Sequence, residues 1–208
     1  MSAPVEPLPT VRVAELGARE PEHHWLVETL FARGVGVIGG TPKSCKTWLG
    51  LELAVSVATA TPCLGHFAVQ DPGPALIYLA EDAAGAVRDR IDALAAWRGI
   101  DVANIDLHVI TVPTLRLDHR DDLRRLAVTV DRIRPRLLLL DPLVRLHRAD
   151  ENKAQEVSAL LADLRTLQRT YNVAVILVHH TRKQAVGRQA GQALRGSGDL
   201  HAWGDSNL

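Results

Sequence analysis

Short runs of consecutive apolar residues recur along the chain, separated by longer stretches in which polar and charged residues are mixed in. The runs occupy residues 35–39, 75–80, 107–112, 137–140 and 173–178. A strand with one solvated face alternates apolar and polar residues, whereas a strand covered on both faces is apolar throughout. The pattern therefore predicts strands of a sheet that is buried on both faces.

The segments between these runs have helical spacing instead. Apolar residues recur every three or four positions, so each segment presents one apolar face. The residues of three such faces are Val87, Ile91 and Leu94; Leu123, Leu126, Val130 and Ile133; and Val157, Leu160, Leu161, Leu164 and Leu167. Strands that alternate with helices predict an α/β fold with a mostly parallel central sheet flanked by helices on both faces. Ligands of such folds bind beyond the carboxyl ends of the strands, so we expect the chemistry there.

Length and composition limit what surrounds this sheet. The 208 residues, 47% of them hydrophobic, suffice for one sizeable core. Residues 1–24 are rich in Pro, Glu and His, and we expect an N-terminal arm followed by one domain over 25–208. The 24 basic and 24 acidic side chains balance, so a surface that binds nucleic acid must be local. The two cysteines form neither a disulfide framework nor a metal-ligand spacing, and no run is long enough for a membrane span, so we expect a cytoplasmic protein.

The first apolar run leads into GTPKSCKT at 40–47, which is followed by the apolar stretch 48–60. A strand, a glycine-containing loop and a helix that begins near Lys46 and Thr47 are typical of a loop that binds nucleotide phosphates. Backbone N–H groups would hold the phosphates, Lys46 would reach the β and γ phosphates, and Thr47 would ligate Mg²⁺. The predicted nucleotide-contacting residues are Gly40, Thr41, Pro42, Lys43, Ser44, Cys45, Lys46, Thr47 and Trp48.

One residue of this loop departs from the usual pattern, which has a second glycine where Cys45 stands. Glycine is favoured at that position for its backbone freedom and for close approach to the ligand. We expect cysteine to be tolerated if the local φ angle is negative. An ordinary strand-to-helix turn that contains lysines is the alternative interpretation of the segment.

Acidic residues follow two of the other predicted strands. Glu81 and Asp82 directly follow the second run, where a carboxylate can orient a water toward a γ phosphate or simply cap the following helix. Asp141 directly follows the four leucines at 137–140. A carboxylate at the end of a buried strand is costly unless it is paired or binds a metal, so we expect Asp141 to hold Mg²⁺ together with Thr47. A turn-forming Asp-Pro pair is the alternative.

Two histidines, His179 and His180, end the fifth run. One histidine there could be a core residue with a satisfied hydrogen bond. Two in succession favour a polar sensor of the γ phosphate at the same edge of the sheet.

Five segments in this order resemble the RecA-like family of P-loop ATPases, and in particular its RepA-type branch of hexameric replicative helicases. The segments are GTPKSCKTWLGLELAVSVA, LIYLAED, LLLLDPLVRLHRADEN, VAVILVHHTRK and ALRGSGDL. The resemblance implies ATP and Mg²⁺ as cofactors and Glu81 as the catalytic base, with Asp141 as the Walker B acid. The catalytic residues that it implies are Lys46, Glu81, Asp141, His179 or His180, and Arg195.

The resemblance also implies an assembly. Arg195 matches the arginine that reaches into the neighbouring subunit's site, which predicts a homo-oligomer, in this branch a hexameric ring. Because the family continues into another strand beyond HAWGDSNL, we expect the domain to be truncated at its C-terminus.

Nucleic acid is the partner that the resemblance implies, because two loops of RecA-like proteins face it. The corresponding basic residues are Arg145 and Arg148 in the first loop, and Arg182, Lys183 and Arg188 in the second, which has no acid. Solvated surface loops are the alternative. The leading interpretation is an ATPase motor or helicase on single-stranded DNA. The zero net charge favours a different one, an assembly or signalling module similar to KaiC-type proteins that binds protein.

Overall fold

Strands and helices alternate along the chain in the computed structural model, as the sequence predicts. The structure describes residues 10–15, 25–148, 154–180 and 198–208. Within them the strands are β1 (Trp25–Val27), β2 (Phe31–Ala32), β3 (Val35–Gly40), β4 (Ala75–Leu79), β5 (Leu107–Val109), β6 (Leu137–Asp141), β7 (Ala174–His180) and β8 (Ser206–Asn207). The helices are α1 (Lys46–Thr59), α2 (Ala84–Arg98), α3 (Arg120–Ile133), α4 (Ala154–Tyr171) and α5 (Gly198–Trp203), with short 3₁₀ helices at Val13–Glu15, Val102–Asn104 and Leu143–Arg145.

Six of these strands form one sheet in the order β5-β4-β6-β7-β3-β8, and every neighbouring pair is parallel. β7 lies between β3 and β6, with His180 opposite Gly40, and β4 lies on the other side of β6, with Leu79 opposite Asp141. The carboxyl ends of β3, β7, β6 and β4 therefore meet at one edge of the sheet. This confirms the predicted α/β fold with a mostly parallel sheet.

The sheet is covered on both faces, which explains the unbroken apolar runs. Along β6, Leu137 and Leu139 point to one hydrophobic cluster, which includes residues of α1 and α2. Leu138 and Leu140 point to the other cluster, which includes residues of α3 and α4. Successive side chains of a strand alternate between faces, so a central strand needs apolar residues at every position. Each fully buried leucine contributes about 1.5–3 kcal/mol of transfer free energy.

The prediction for the third run, 107–112, is wrong in its length and burial. The strand β5 covers only Leu107–Val109, pairs with β4 alone and is half-exposed at the edge of the sheet. Only the first three residues of β4 pair with β5. The pattern does not predict β1, β2 or β8, since strands of two or three residues are too short to show a period.

Helix α1 packs unusually close to the sheet. A Cβ atom on Gly50 would lie 2.9 Å from a methyl carbon of Leu139 on β6, so only glycine permits this approach without a shift. The close contact places the first turn of α1, which carries Lys46 and Thr47, beside the end of β6. The packing of a glycine in the helix thus sets the geometry of the loop before it.

A buried ion pair fixes α1 to α2. The Arg98 guanidinium donates to the Glu52 carboxylate and, at 3.1 Å, to the Ser56 hydroxyl, while the backbone N–H of Leu64 donates to Glu52 at 2.7 Å. Both charged side chains are less than a tenth exposed. Buried charges are tolerated when they are paired and hydrogen-bonded in this way. The network holds the helix that carries Lys46 in one place.

No helix within the described ranges combines the length and the apolar character needed to cross a lipid bilayer. Of the predicted N-terminal arm the structure describes residues 10–15, and the next described residue, Trp25, begins β1. The division of the chain at residue 25 stays a prediction.

Candidate active site

A cleft of about 270 Å³ opens at the edge where the carboxyl ends of the strands meet. Its lining consists of residues 43–48, Glu81, Asp82, Arg90, Asp141, Pro142 and His180. The loop after β3, the acids after β4 and β6 and a histidine at the end of β7 therefore share one cavity. Residues that lie up to 137 positions apart in the sequence, Lys43 and His180, are brought together by the strand order.

The loop after β3 has two residues with left-handed backbone conformations. Lys43 has a φ of 64° and Cys45, the residue that precedes α1, has a φ of 59° and a ψ of 20°. The condition of a negative φ, under which we expected cysteine to be tolerated, is therefore not met. The left-handed conformation at Cys45 turns the loop into α1, whose first residues line the cleft. A residue with a Cβ loses roughly 1–2 kcal/mol in this conformation, which is why glycine is preferred there.

Lys46 is folded back over its own loop. Its side chain is buried, and the ammonium Nζ donates to the Thr41 carbonyl at 2.7 Å and to the Ser44 hydroxyl at 3.4 Å. Gly40 leaves room for this path, because a Cβ there would lie 2.7 Å from the Ser44 hydroxyl oxygen. Burial lowers the pKa of Lys46 from its usual value, and the Asp141 carboxylate raises it in partial compensation. An anion bound in the loop would be a partner for this charge.

Asp141 and Thr47 form the second half of the loop's chemistry. Asp141 is 4% exposed and lines the same cleft as Thr47, whose side chain lowers the pKa of the Asp141 carboxyl. The Oδ2 atom of Asp141 has no hydrogen-bond partner among the described residues. Burial raises the pKa of Asp141, and the Asp82 and Glu81 carboxylates add to this, whereas Thr47 and His180 lower it.

This donor set fits a divalent cation bound together with phosphates. A buried carboxylate with one unpartnered oxygen, next to a hydroxyl, offers two oxygen ligands. Among the described residues, no three His, Cys, Asp or Glu side chains form a cluster that could hold a metal by themselves. Mg²⁺ in nucleotide sites typically takes one or two carboxylates and completes its shell with water and substrate phosphates. Thr47 and Asp141 are the residues that could hold it.

Glu81 and Asp82 have different partners, although they are adjacent in sequence. Glu81 accepts a hydrogen bond of 2.7 Å from the Nε atom of Arg145, which belongs to the segment after β6. Asp82 accepts two hydrogen bonds, of 2.7 and 3.0 Å, from the guanidinium of Arg90 on α2. Neither acid caps α2, because its N-cap residue is Ala83, which makes no side-chain capping bond. The capping interpretation of these acids is wrong.

The two histidines at the end of β7 separate. His180 lines the cleft and is among the groups that lower the pKa of Asp141. His179 is 7% exposed and is not part of the cleft lining. Adjacent residues of a strand point to opposite faces, so only one of a successive pair can face the cavity. The structure makes His180 the better candidate for a phosphate sensor.

Sequence reasoning missed Arg90. Its guanidinium lies 5.7 Å from the centre of the Trp48 ring, in addition to its bidentate pair with Asp82. Trp48 is 41% exposed beside the loop. Arg90 stands on a helix with several charged residues, and only its distance of two turns from Asp82 could have singled it out. Since Asp82 already pairs with it, Arg90 lines the cleft as a structural cation.

Part of the predicted nucleic-acid surface is described. Arg145 pairs with Glu81, and the backbone N–H of Arg148 donates to the Asp118 carboxylate at 2.8 Å. Both arginines lie on the segment that follows β6 and both are exposed. The other predicted residues of this kind, Arg182, Lys183 and Arg188, and the predicted arginine finger Arg195, lie outside the described residues.

Comparison with known proteins agrees with this fold. The structure is similar to the ATPase domain of G40P, with a TM-score of 0.61 and 17% sequence identity, over 84% of this chain and 68% of that chain. This likeness shows the fold. A family model described as an AAA domain, AAA_25, matches residues 2–186. The chain belongs to this AAA domain family and has the fold of a RecA-like P-loop ATPase.

Proposed function

We propose that the cleft binds Mg-ATP and hydrolyses it. The observation that carries this proposal is the buried Asp141 carboxylate, which lines the cleft together with Thr47 and keeps an unpartnered oxygen beside the loop after β3. A buried carboxylate without a full set of partners costs free energy, and a divalent cation offsets that cost. Thr47 and Asp141 would hold Mg²⁺, which would supply positive charge to the β and γ phosphates.

The other loop residues would bind and orient the nucleotide. The N-terminal turn of α1 lines the cleft, and the backbone N–H groups of a helix N-terminus favour an anion. The Lys46 ammonium would exchange the Thr41 carbonyl, now 2.7 Å away, for phosphate oxygens. Cys45 stands between these groups, so its side chain would lie beside the phosphates.

Glu81 is the proposed catalytic base. It would orient a water so that the water oxygen bonds to the γ phosphorus while the bond from that phosphorus to the β–γ bridging oxygen breaks. The products are ADP and phosphate, and the proton of the water passes to the Glu81 carboxylate. Asp82 is the poorer candidate, because both of its carboxylate oxygens accept hydrogen bonds from Arg90.

The proposal includes assembly into a homo-oligomer, in this branch a hexameric ring. Its support is the resemblance of the Arg195 segment to the arginine that completes a neighbour's site. Such an arginine contributes on the order of 10³–10⁵ in rate, so a lone subunit is expected to be slow. If each site needs a neighbour, then Arg195→Ala and Lys46→Ala subunits, inactive alone, should recover turnover when mixed. No recovery, together with turnover that is independent of protein concentration, would argue for a self-contained site.

Single-stranded DNA is the proposed partner. The support is the group of exposed arginines after β6, Arg145 and Arg148, together with the acid-free sequence that carries Arg182, Lys183 and Arg188. Arginines of this kind contact phosphates and not bases. Binding should therefore show little preference for sequence and should weaken strongly as the salt concentration rises. The zero net charge favours the second candidate, an ATP-dependent signalling or assembly module that binds protein.

The experiment that tests the function is ATP hydrolysis by the purified chain over a range of protein concentrations, with and without a single-stranded oligonucleotide at low salt. We expect turnover that requires Mg²⁺, is absent in Lys46→Ala and rises with the oligonucleotide. If the parent chain shows no turnover under any of these conditions, the hydrolytic function is wrong. Turnover without any binding of the oligonucleotide would favour the signalling module instead.

A further inference from the structure

The carboxylate of the proposed base is held by an arginine from a different part of the chain. The Nε atom of Arg145 donates to Oε1 of Glu81 at 2.7 Å across 64 residues of sequence. Arg145 ends the short 3₁₀ helix that begins two residues after Asp141, and its backbone N–H donates to the Pro142 carbonyl at 3.0 Å. The segment that carries the arginine is therefore a direct continuation of the strand that carries Asp141.

We propose that this ion pair restrains Glu81, and that a phosphodiester chain which binds Arg145 releases it. The inference rests on the proposed function, because it names the partner that regulates the same site. A carboxylate oxygen that accepts from a guanidinium is directed toward that group and has fewer lone pairs left for a water. When the guanidinium binds a phosphate instead, the Glu81 carboxylate is free to turn toward the γ phosphate.

The exposure of the pair makes such an exchange feasible. The Arg145 and Glu81 side chains are 63% and 46% exposed, so a ligand can reach the guanidinium without any opening of the core. The neighbouring pair behaves differently, since Arg90 and Asp82 share two hydrogen bonds and are about a quarter exposed. Asp82 is thus held by two hydrogen bonds to the helix that follows it, whereas Glu81 is held by one hydrogen bond to an exposed segment.

The geometry of the segment favours an extended anion over a small one. Arg148 follows Arg145 by three residues and is also exposed, while its backbone is fixed to Asp118. Two exposed arginines on a fixed segment suit successive phosphates of one strand, which are bound by charge and not by base sequence. Single-stranded nucleic acid is therefore the class of partner that we assign to the release of Glu81.

Arg145→Gln tests this directly, and Arg88→Gln is its matched control. Arg88 pairs with Asp92 on the outer side of α2, at 2.8 Å and with nearly the same exposure, 62% and 46%, but it does not contact Glu81. Removal of Arg145 should raise kcat without DNA about two- to fivefold, as expected for an exposed ion pair, and leave KM for ATP unchanged. Arg88→Gln should leave both values at those of the parent. Arg145→Lys, which keeps a charge but loses the planar donor, should fall between.

The stimulation by DNA provides the second measurement. An oligonucleotide of thymidines should raise the kcat of the parent. The fold-increase in kcat that it causes in Arg145→Gln should be smaller, by the same factor by which the substitution raises the kcat without DNA. A lower basal kcat in Arg145→Gln, or undiminished stimulation, overturns the proposal, as does stimulation by polyglutamate but not by the oligonucleotide. If the parent hydrolyses no ATP, both the function and this inference fail. If the parent hydrolyses ATP but Arg145→Gln shows neither the higher basal kcat nor the reduced stimulation by DNA, the inference alone fails.

Discussion

Thr47, in the first turn of α1, and Asp141, at the end of β6, line one cleft, and the Thr47 side chain lowers the pKa of the Asp141 carboxyl. α1 follows β3, and β7 lies between β3 and β6 in the sheet. Thr47 therefore comes close to Asp141 only because α1 crosses over the sheet toward β6. Gly50 allows this crossing, since it lets the helix lie directly on Leu139. The cation site that we propose is therefore a product of helix packing as much as of the loop sequence.

Asp141→Asn should separate function from stability. Burial raises the pKa of Asp141 in the folded protein, so the folded state holds the proton more tightly than the unfolded chain does. The contribution of this group to stability is therefore present at low pH and is lost as the pH rises through the folded pKa. Asparagine cannot ionise and is close to aspartate in size. We expect the variant to lose Mg-dependent turnover but to be more stable than the parent at neutral pH, by roughly 1 kcal/mol.

Thermal unfolding of the parent and of Asp141→Asn at several pH values checks the sign. The difference should narrow as the pH falls toward the ordinary carboxyl range, about pH 4. A variant that is less stable than the parent at neutral pH would contradict this. It would show that a favourable interaction of the ionised carboxylate contributes more free energy than its burial costs.

Glu81→Gln should affect turnover, whereas Asp82→Asn should affect mainly stability. Glutamine can still bind near the phosphates but cannot take a proton, so Glu81→Gln should retain ATP binding and lose hydrolysis. Asp82→Asn weakens the bidentate pair with Arg90 and should lower stability by about 1 kcal/mol while it leaves measurable turnover. Nucleotide titration and a turnover assay on both variants, with Lys46→Ala as the inactive control, make the comparison. Turnover at the parent rate in Glu81→Gln would transfer the role of base to Asp82.

Part of this site could be predicted from sequence because burial leaves a clear trace. Four leucines at 137–140 are typical of a strand covered on both faces, and an acid directly after such a strand is expected at the edge of the sheet. The pair of Glu81 with Arg145 left no such trace, because it joins a loop residue to a short 3₁₀ helix 64 positions away in the sequence. The backbone conformation of Cys45 was equally hidden, since a cysteine in the sequence gives no sign of a positive φ.

The Glu52–Arg98 pair gives a prediction about stability alone. Removal of one partner leaves the other charge buried, which typically costs about 3–5 kcal/mol. Arg98→Met should therefore destabilise the chain strongly, because Glu52 would keep only the Leu64 N–H. The double variant Glu52→Gln, Arg98→Met should recover much of the loss, since no uncompensated charge remains. Denaturant unfolding of the single and double variants measures the coupling, and simple additivity would show that the pair does not act as a unit.

Cys45→Gly should stabilise the loop. Glycine adopts a φ of 59° without the strain that a Cβ causes, although it also gains freedom in the unfolded chain. The two effects leave a net gain of about 0.5–1 kcal/mol. Cys45→Ala keeps the Cβ and removes only the thiol, so it should show no such gain and serves as the control. Equal stability of the glycine and alanine variants would mean that the backbone strain at this position is negligible.

Alkylation of Cys45 tests where the nucleotide lies. Cys45 is exposed in the cleft lining, whereas Cys63 is buried, and burial raises the pKa of the Cys63 thiol to about 11. A thiol reagent should therefore label Cys45 first, and Cys63 only when the chain unfolds. Saturating Mg-ATP should protect Cys45, because the phosphates would occupy the space next to its side chain, and prior alkylation should block ATP binding. Mass spectrometry of the two cysteine peptides measures both rates in one sample. If Cys45 reacts at the same rate with and without Mg-ATP, the loop does not hold phosphates beside it, and the nucleotide site must lie elsewhere.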